Sequence, residues 1–313
     1  MTHATLRTLS LTLGSLCAAS TAHGQNIGLT APTAGYVFNP ATSALHPIAG
    51  LPGASLLAAP VLSGVLSASF SPDADSAVVA KSDGIFLVTN VRTAIPQYQP
   101  LAPPNPYLAA WGKSTAILYA DGKYQLLSRS GDSTALNPGV PPGTVTAIDY
   151  DEPAQRLYIA LAADSEDAGL YVYSIAQAGL RHLMTLANPI AIARANSTNF
   201  VLDGATSAIW ALTEGQAPIQ LPGPTDPDTR FVAIAVSADA SRLYAADAGL
   251  RQVLVSGLDG AFISRIQAST TPAKLERLGN SPLLLVSNEP GQPVWLLNDT
   301  STPAVFFIPA LSH

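Results

Sequence analysis

One short pattern constrains this chain more than any other: an Asp or Asn followed closely by Gly, set between two apolar runs. It occurs in "VVAKSDGIFLV" at Asp83, "ILYADGKYQLL" at Asp121, "ADSEDAGLYVY" at Asp167, "FVLDGATSAIW" at Asp203, "LYAADAGLRQVLV" at Asp247 and "LLVSNEPGQPVWLL" at Asn288. The mean step is about 41 residues, inside the range of four-stranded propeller blades. Asp-Gly suits a tight hairpin, because Gly and, less readily, Asp and Asn accept positive φ. On this reading Gly84, Gly122 and Gly204 take positive-φ turn positions.

Upstream of each turn lies a second recurring piece rich in small residues: "VLSASFSPD", "YLAAWGKS", "VTAIDYDEP", "PIAIARANS", "VAIAVSAD" and "AKLERLGNS". Small side chains are what the innermost strand of a blade needs where neighbouring blades crowd the central channel. Phe70-Ser71-Pro72-Asp73 and Val236-Ser237-Ala238-Asp239 match most closely and read as a polar turn between first and second strands. Downstream comes a weaker outer strand, then a proline-rich link such as "LNPGVPPG" or "LPGPTDPDT". Proline breaks strand pairing, so these are loops between blades.

The expected fold is therefore all-β, a β-propeller. Six units run from Val65 to about Pro309, and "TAGYVFNPATSALHPIAG" reads as the second half of another, with a turn at Ala34-Gly35. Seven four-stranded blades closed by pairing of the N- and C-terminal segments is the preferred count. Six blades with a decorated N-terminus is the alternative, and a pair of stacked sandwiches leaves the regular turn spacing unexplained.

The first residues have a different character. "MTHATLR" precedes the apolar, small stretch "TLSLTLGSLCAASTA" and then "AHG", the layout of a secretory signal with cleavage after Gly24. Residues 1–24 are expected to be removed and 25–313 to form one domain, secreted or periplasmic. Cys17 is the only cysteine, so the mature chain has neither disulfides nor a thiol nucleophile. "GSLC" is a poor lipid-attachment site because Leu16 is bulky. A net charge of -6 and only 12% charged residues argue against a nucleic-acid partner. No apolar run reaches the roughly 18 residues of a membrane span, and a monomer is expected.

"LYAADAGLRQVLVSGLDGAFISRI" resembles an NHL-type or YVTN-type repeat, and "ASFSPDADSAVVA" resembles the Ser-Pro-Asp turn of WD40-like propellers. "GYVFNPATSALHPIAGLPGA" is similar to the opening of exported propeller proteins of soil bacteria. The resemblance implies the fold and leaves the activity open.

Chemistry must come from particular side chains. Asp149, Arg194, Lys274 and Glu276 fall on first strands and are the channel-lining candidates. Lys274 and Glu276 are two apart, hence on one face. A lactonase-like hydrolase would need several hard oxygen ligands for Ca²⁺ at the channel mouth, and one Lys–Glu pair does not supply them. No catalytic residue, cofactor or metal site is assigned. The acidic loops with Asp164, Glu166 and Asp167, and with Asp226 and Asp228, lack the Gly and distal Glu of an EF-hand. His46, His182 and His313 are too scattered for a zinc site or a His-based triad. Trp111, Trp210 and Trp295 lie in different units, as blade packing would place them. The expected role is a binding or scaffold module acting through its proline-rich loops, for a protein, small-molecule or carbohydrate ligand.

Overall fold

The structure, a computed structural model, describes residues 32–309 except 94 and 225. The expected signal segment, Cys17, the expected start at Gln25 and His313 lie outside the described residues. Every regular element described is a strand, and the strands form seven antiparallel four-stranded sheets. Blades two to seven start at Val65, Tyr107, Thr144, Pro189, Phe231 and Glu276. Four of these starts fall within the small-residue pieces read from the sequence, and Thr144 and Phe231 lie one residue before theirs. Among the described residues no helix is long and apolar enough to cross a membrane.

The six Asp-Gly and Asn-Gly turns all connect second to third strands. Hairpins of this kind and the interblade links share one end of the ring, and the first-to-second turns lie at the other. Ser71 and Ser237 open equivalent turns: each hydroxyl donates to the Asp two residues on, at 2.7 and 2.6 Å, and each amide closes the loop five residues later at 2.9 Å. Ala74 and Ala240 take the same left-handed position, φ 55° and 53°.

Blade one departs from the expected closure. Its four strands are Thr33–Asn39, Ala44–Leu51, Ala54–Leu57 and Leu62–Ser63, the last two both pairing with Ala44–Leu51. Val37, Ile48 and Leu57 pack on Leu285, Leu296 and Ile308, which are second, third and outer positions of blade seven. Thr33–Asn39 thus stands in a second-strand place, which fits a segment read as the later part of a unit. Among the described residues no C-terminal strand pairs with it. The ring closes by face-to-face packing of blades one and seven, because the C-terminal strand Ala304–Ile308 is already the outer strand of its own blade. Ala34-Gly35 is a bulge in the strand and not a turn, since Thr33 and Gly35 pair with adjacent partners.

The glycine assignment holds at one of three positions. Asp121 and Gly122 form a two-residue turn with φ 52° and 72°. Gly84 instead pairs with Lys81 inside the ladder, the turn being Ser82-Asp83. Gly204 opens a four-residue loop in which Ser207 carries the positive φ, 54°. A Cβ on Gly204 would stand 2.8 Å from Cδ1 of Ile190, so close packing explains that glycine. Gly122→Val is expected to cost about 1–2 kcal/mol through backbone strain alone, since no atom lies within 4 Å of its Cβ position. Gly204→Val should cost about 1–3 kcal/mol through overpacking. In thermal melts, shortening Ile190 to Ala should rescue the second and leave the first unchanged; equal rescue of both would contradict this assignment.

Candidate functional site

The structure joins the four channel candidates as two pairs and not as one site. Arg194, on the inner strand of blade five, donates from Nε to Asp149 on blade four at 2.9 Å. Its other contacts are Asp151, at 3.3 Å, and the carbonyl of Tyr150, at 3.1 Å. This guanidinium is spent on tying two blades together. Asp151, not singled out in the sequence, completes the tie.

Lys274 and Glu276 approach to 3.7 Å on blade seven. They line a cavity of about 300 Å³ with Tyr36, Phe38, Ser67 and Tyr107. The cavity lies where an inner strand of blade one would stand. Glu276 keeps 38% of its side-chain surface accessible in the channel, yet walls crowd it from several blades. That crowding pushes its carboxyl up, with Lys274 pulling partly the other way. Among the described residues no three His, Cys, Asp or Glu side chains come together as metal ligands.

The remaining candidates have ordinary partners. Asp167 is held by Ser165 at 3.1 Å in an exposed loop. His46 is buried between Thr42, at 2.9 Å, and the carbonyl of Ala58, at 2.8 Å, while His182 packs at a tilt against Tyr171. Trp111 donates to Ser69 of the neighbouring blade at 3.2 Å, and Trp295 packs on Phe307.

Carboxylates recur at the polar-turn end as ties between blades. Arg129 of blade three pairs with Asp73 of blade two. Glu152 of blade four accepts the amides and hydroxyl groups of Lys113, Ser114 and Thr115 on blade three. Burial works against its charge, but those hydrogen bonds outweigh it and hold the carboxyl at about 2, against an ordinary 4.5. A depressed carboxyl stabilises the fold above its ordinary value and loses that contribution as pH falls. Wild type should therefore exceed Glu152→Gln in stability above pH 4.5, with the gap closing between 4.5 and 2. Urea melts across that window check it, and a constant gap down to pH 2 would refute it.

Larger cavities lie elsewhere, under the proline-rich links. The outer strand of blade five has only two residues, Ile219–Gln220, against four to seven in blades two, three, four, six and seven. Leu221 adds one more backbone bond, to Ile209, and then Pro222 and Pro224 end the ladder because proline has no N–H to give. The missing strand leaves the outer part of one face of blade six uncovered. Cavities of about 580 and 410 Å³ adjoin there around Pro222–Pro227, floored by Leu254 and Ser256. Pro222 is seated on Gly260, where a Cβ would come within 2.6 Å of its ring. A separate cavity of about 620 Å³ lies under the Asn137–Gly143 link, against Tyr119 and Tyr124. The prolines were visible in the sequence; the side chains beneath them, Leu254, Phe262 and Arg265, carried no signal of their own.

No family model matches the chain, and no curated protein matches it significantly. Solved structures do resemble it. Apo AztD from Citrobacter koseri aligns over 88% of this chain and 82% of its own, with a TM-score of 0.59 at 13% identity. Virginiamycin B lyase from Staphylococcus aureus aligns over 80% and 85%, at 0.58 and 14%. Hydrazine synthase from Kuenenia stuttgartiensis aligns over 90% and 98%, at 0.58 and 10%. The likeness is one of fold. At this level of identity the likeness carries the seven-bladed frame alone.

Proposed function

We propose that the protein is an exported binding module that takes its ligand in the clefts beneath its proline-rich links. The observation that carries this reading is the adjoining pair of cavities, about 580 and 410 Å³, around Pro222–Pro227. Each lies in the usual size range of ligand pockets, and the larger has an apolar floor with few polar groups. The cleft exists because prolines end an outer strand early, so the rigid sheet beneath is preformed and little ordering opposes binding.

The competing reading is a lactonase-like, metal-dependent hydrolase at the channel. Each channel acid faces a cation, Asp149 with Arg194 and Glu276 with Lys274, which weakens the site for Ca²⁺. A crystal soak with phenol and isopropanol is expected to fill the cavities at Pro222–Pro227, while calorimetric titration with Ca²⁺ stays flat. Probes confined to the channel, or micromolar Ca²⁺ binding lost in Glu276→Gln together with lactone opening, would replace this reading with the hydrolase.

A further inference from the structure

The walls of the 580 Å³ cavity beside Pro222 contain two charged side chains, one of each sign. Arg265 comes from the outer strand of blade six and Asp226 from the link above it. Neither makes an ion pair among the described residues, with each other or with any third group. The guanidinium carbon of Arg265 stands 5.6 Å from the ring centre of Phe262, a cation–π contact. Among the described residues its N–H groups have no hydrogen-bond acceptor, and they suit a planar one. Asp226 uses Oδ1 to accept the amide of Asp228 at 3.0 Å, and its Oδ2 accepts no hydrogen bond among the described residues. Between them the lining is mainly apolar, with Leu250, Leu254, Phe262 and Pro222 beside Gln252 and Ser256.

This combination selects a charge pattern. An anionic ligand would gain Arg265 and meet Asp226 as a like charge; a cationic ligand would face the reverse conflict. A molecule carrying both charges at the ends of an apolar body satisfies both walls and buries the floor. We infer that the Pro222–Pro227 cleft binds a zwitterion with an apolar body, of the class of a short hydrophobic peptide with free termini, its carboxylate on Arg265 and its ammonium on Asp226. The inference rests on the binding-module reading of the same cleft and adds the ligand class.

Four forms of leucyl-leucine test it by calorimetry on the full chain: free, N-acetylated, C-amidated and blocked at both ends. The free dipeptide is expected to bind one to one, with each block weakening binding at least tenfold. Arg265→Gln should abolish the difference between free and amidated forms, and Asp226→Asn the difference between free and acetylated forms. Both side chains are exposed, and an unchanged melting temperature verifies that each variant is folded. Equal binding of the doubly blocked form would overturn the inference while leaving the cleft a binding site. Binding of none of the four forms would also overturn it. The phenol and isopropanol soak then decides whether the module reading falls with it, since those probes need no charge.

Discussion

Asp299→Ala is expected to lower the unfolding free energy by about 3–5 kcal/mol, the cost of breaking a buried ion pair by removing one partner. The carboxylate is 1% exposed. Its Oδ1 accepts the hydroxyl of Tyr244 at 2.7 Å, and its Oδ2 accepts the amide of Ala238 at 2.6 Å and Nη2 of Arg277 at 3.1 Å. Arg242 adds a longer contact at 3.7 Å. Burial and the neighbouring carboxylate raise the Tyr244 phenol well above its ordinary range, so it stays a neutral donor to Asp299. Removing the acid leaves a buried hydroxyl, a backbone amide and a guanidinium facing one another. The expected loss corresponds to a fall in melting temperature of roughly 6–10 °C for a domain of this size. Arg277→Met should cost less in the Asp299→Ala background than alone, because the two share one interaction. A fall below about 2 °C would mean that water replaces the carboxylate without loss.

Asp299 shows where sequence reasoning stops. The regular turns gave six of the seven blades, the strand order and the inner-strand assignments, because each depends on local patterns of two or three kinds of residue, and the seventh came from the half-unit at Thr33–Gly50. The tie at Asp299 joins a turn of blade seven to Ala238, 61 residues away, and no local pattern marks it. The same holds for Asp151, which entered the Arg194 tie unannounced. The Lys274–Glu276 pair was legible from strand spacing, since alternation puts both on one face. The channel cavity beside it was not, because it depends on which place Thr33–Asn39 takes in its blade. That strand was legible as part of a late half-unit, but its neighbour across the ring had to be seen.

Asp-Gly itself carried two meanings that sequence could not separate. In "ILYADGKYQLL" the Asp is exposed and sits in the left-handed region of a two-residue turn. In "FVLDGATSAIW" and "LYAADAGLRQVLV" the loop has four residues and the Asp is the last residue of the strand before it, buried. What differs is the loop length, set by where the apolar strand resumes after the Gly.

The buried form anchors its hairpin to the segment leading into the inner strand of its own blade. Oδ1 of Asp247 accepts the amides of Gly249 at 3.0 Å, Leu250 at 3.1 Å and Arg230 at 2.9 Å, while Oδ2 accepts the side-chain amide of Gln252 at 3.1 Å. Asp203 repeats the plan with Ala205, Thr206 and Asn188. Asp247→Ala would strand four donors that only one carboxylate serves, and an unmet buried donor costs about 1–3 kcal/mol. Because the loop can relax toward water, the sum falls short of full additivity, and a loss of about 3–4 kcal/mol is expected. Asp247→Asn keeps one acceptor oxygen for the three amides and should lose about 1 kcal/mol, near the worth of one hydrogen bond. Asp121→Ala bears only the strain of a left-handed Ala, about 1 kcal/mol. Chemical denaturation of the three variants orders them: Asp247→Ala far below the other two, those two close together. If Asp121→Ala proved as damaging as Asp247→Ala, the two turns would be doing the same work, and the distinction drawn from loop length would fail.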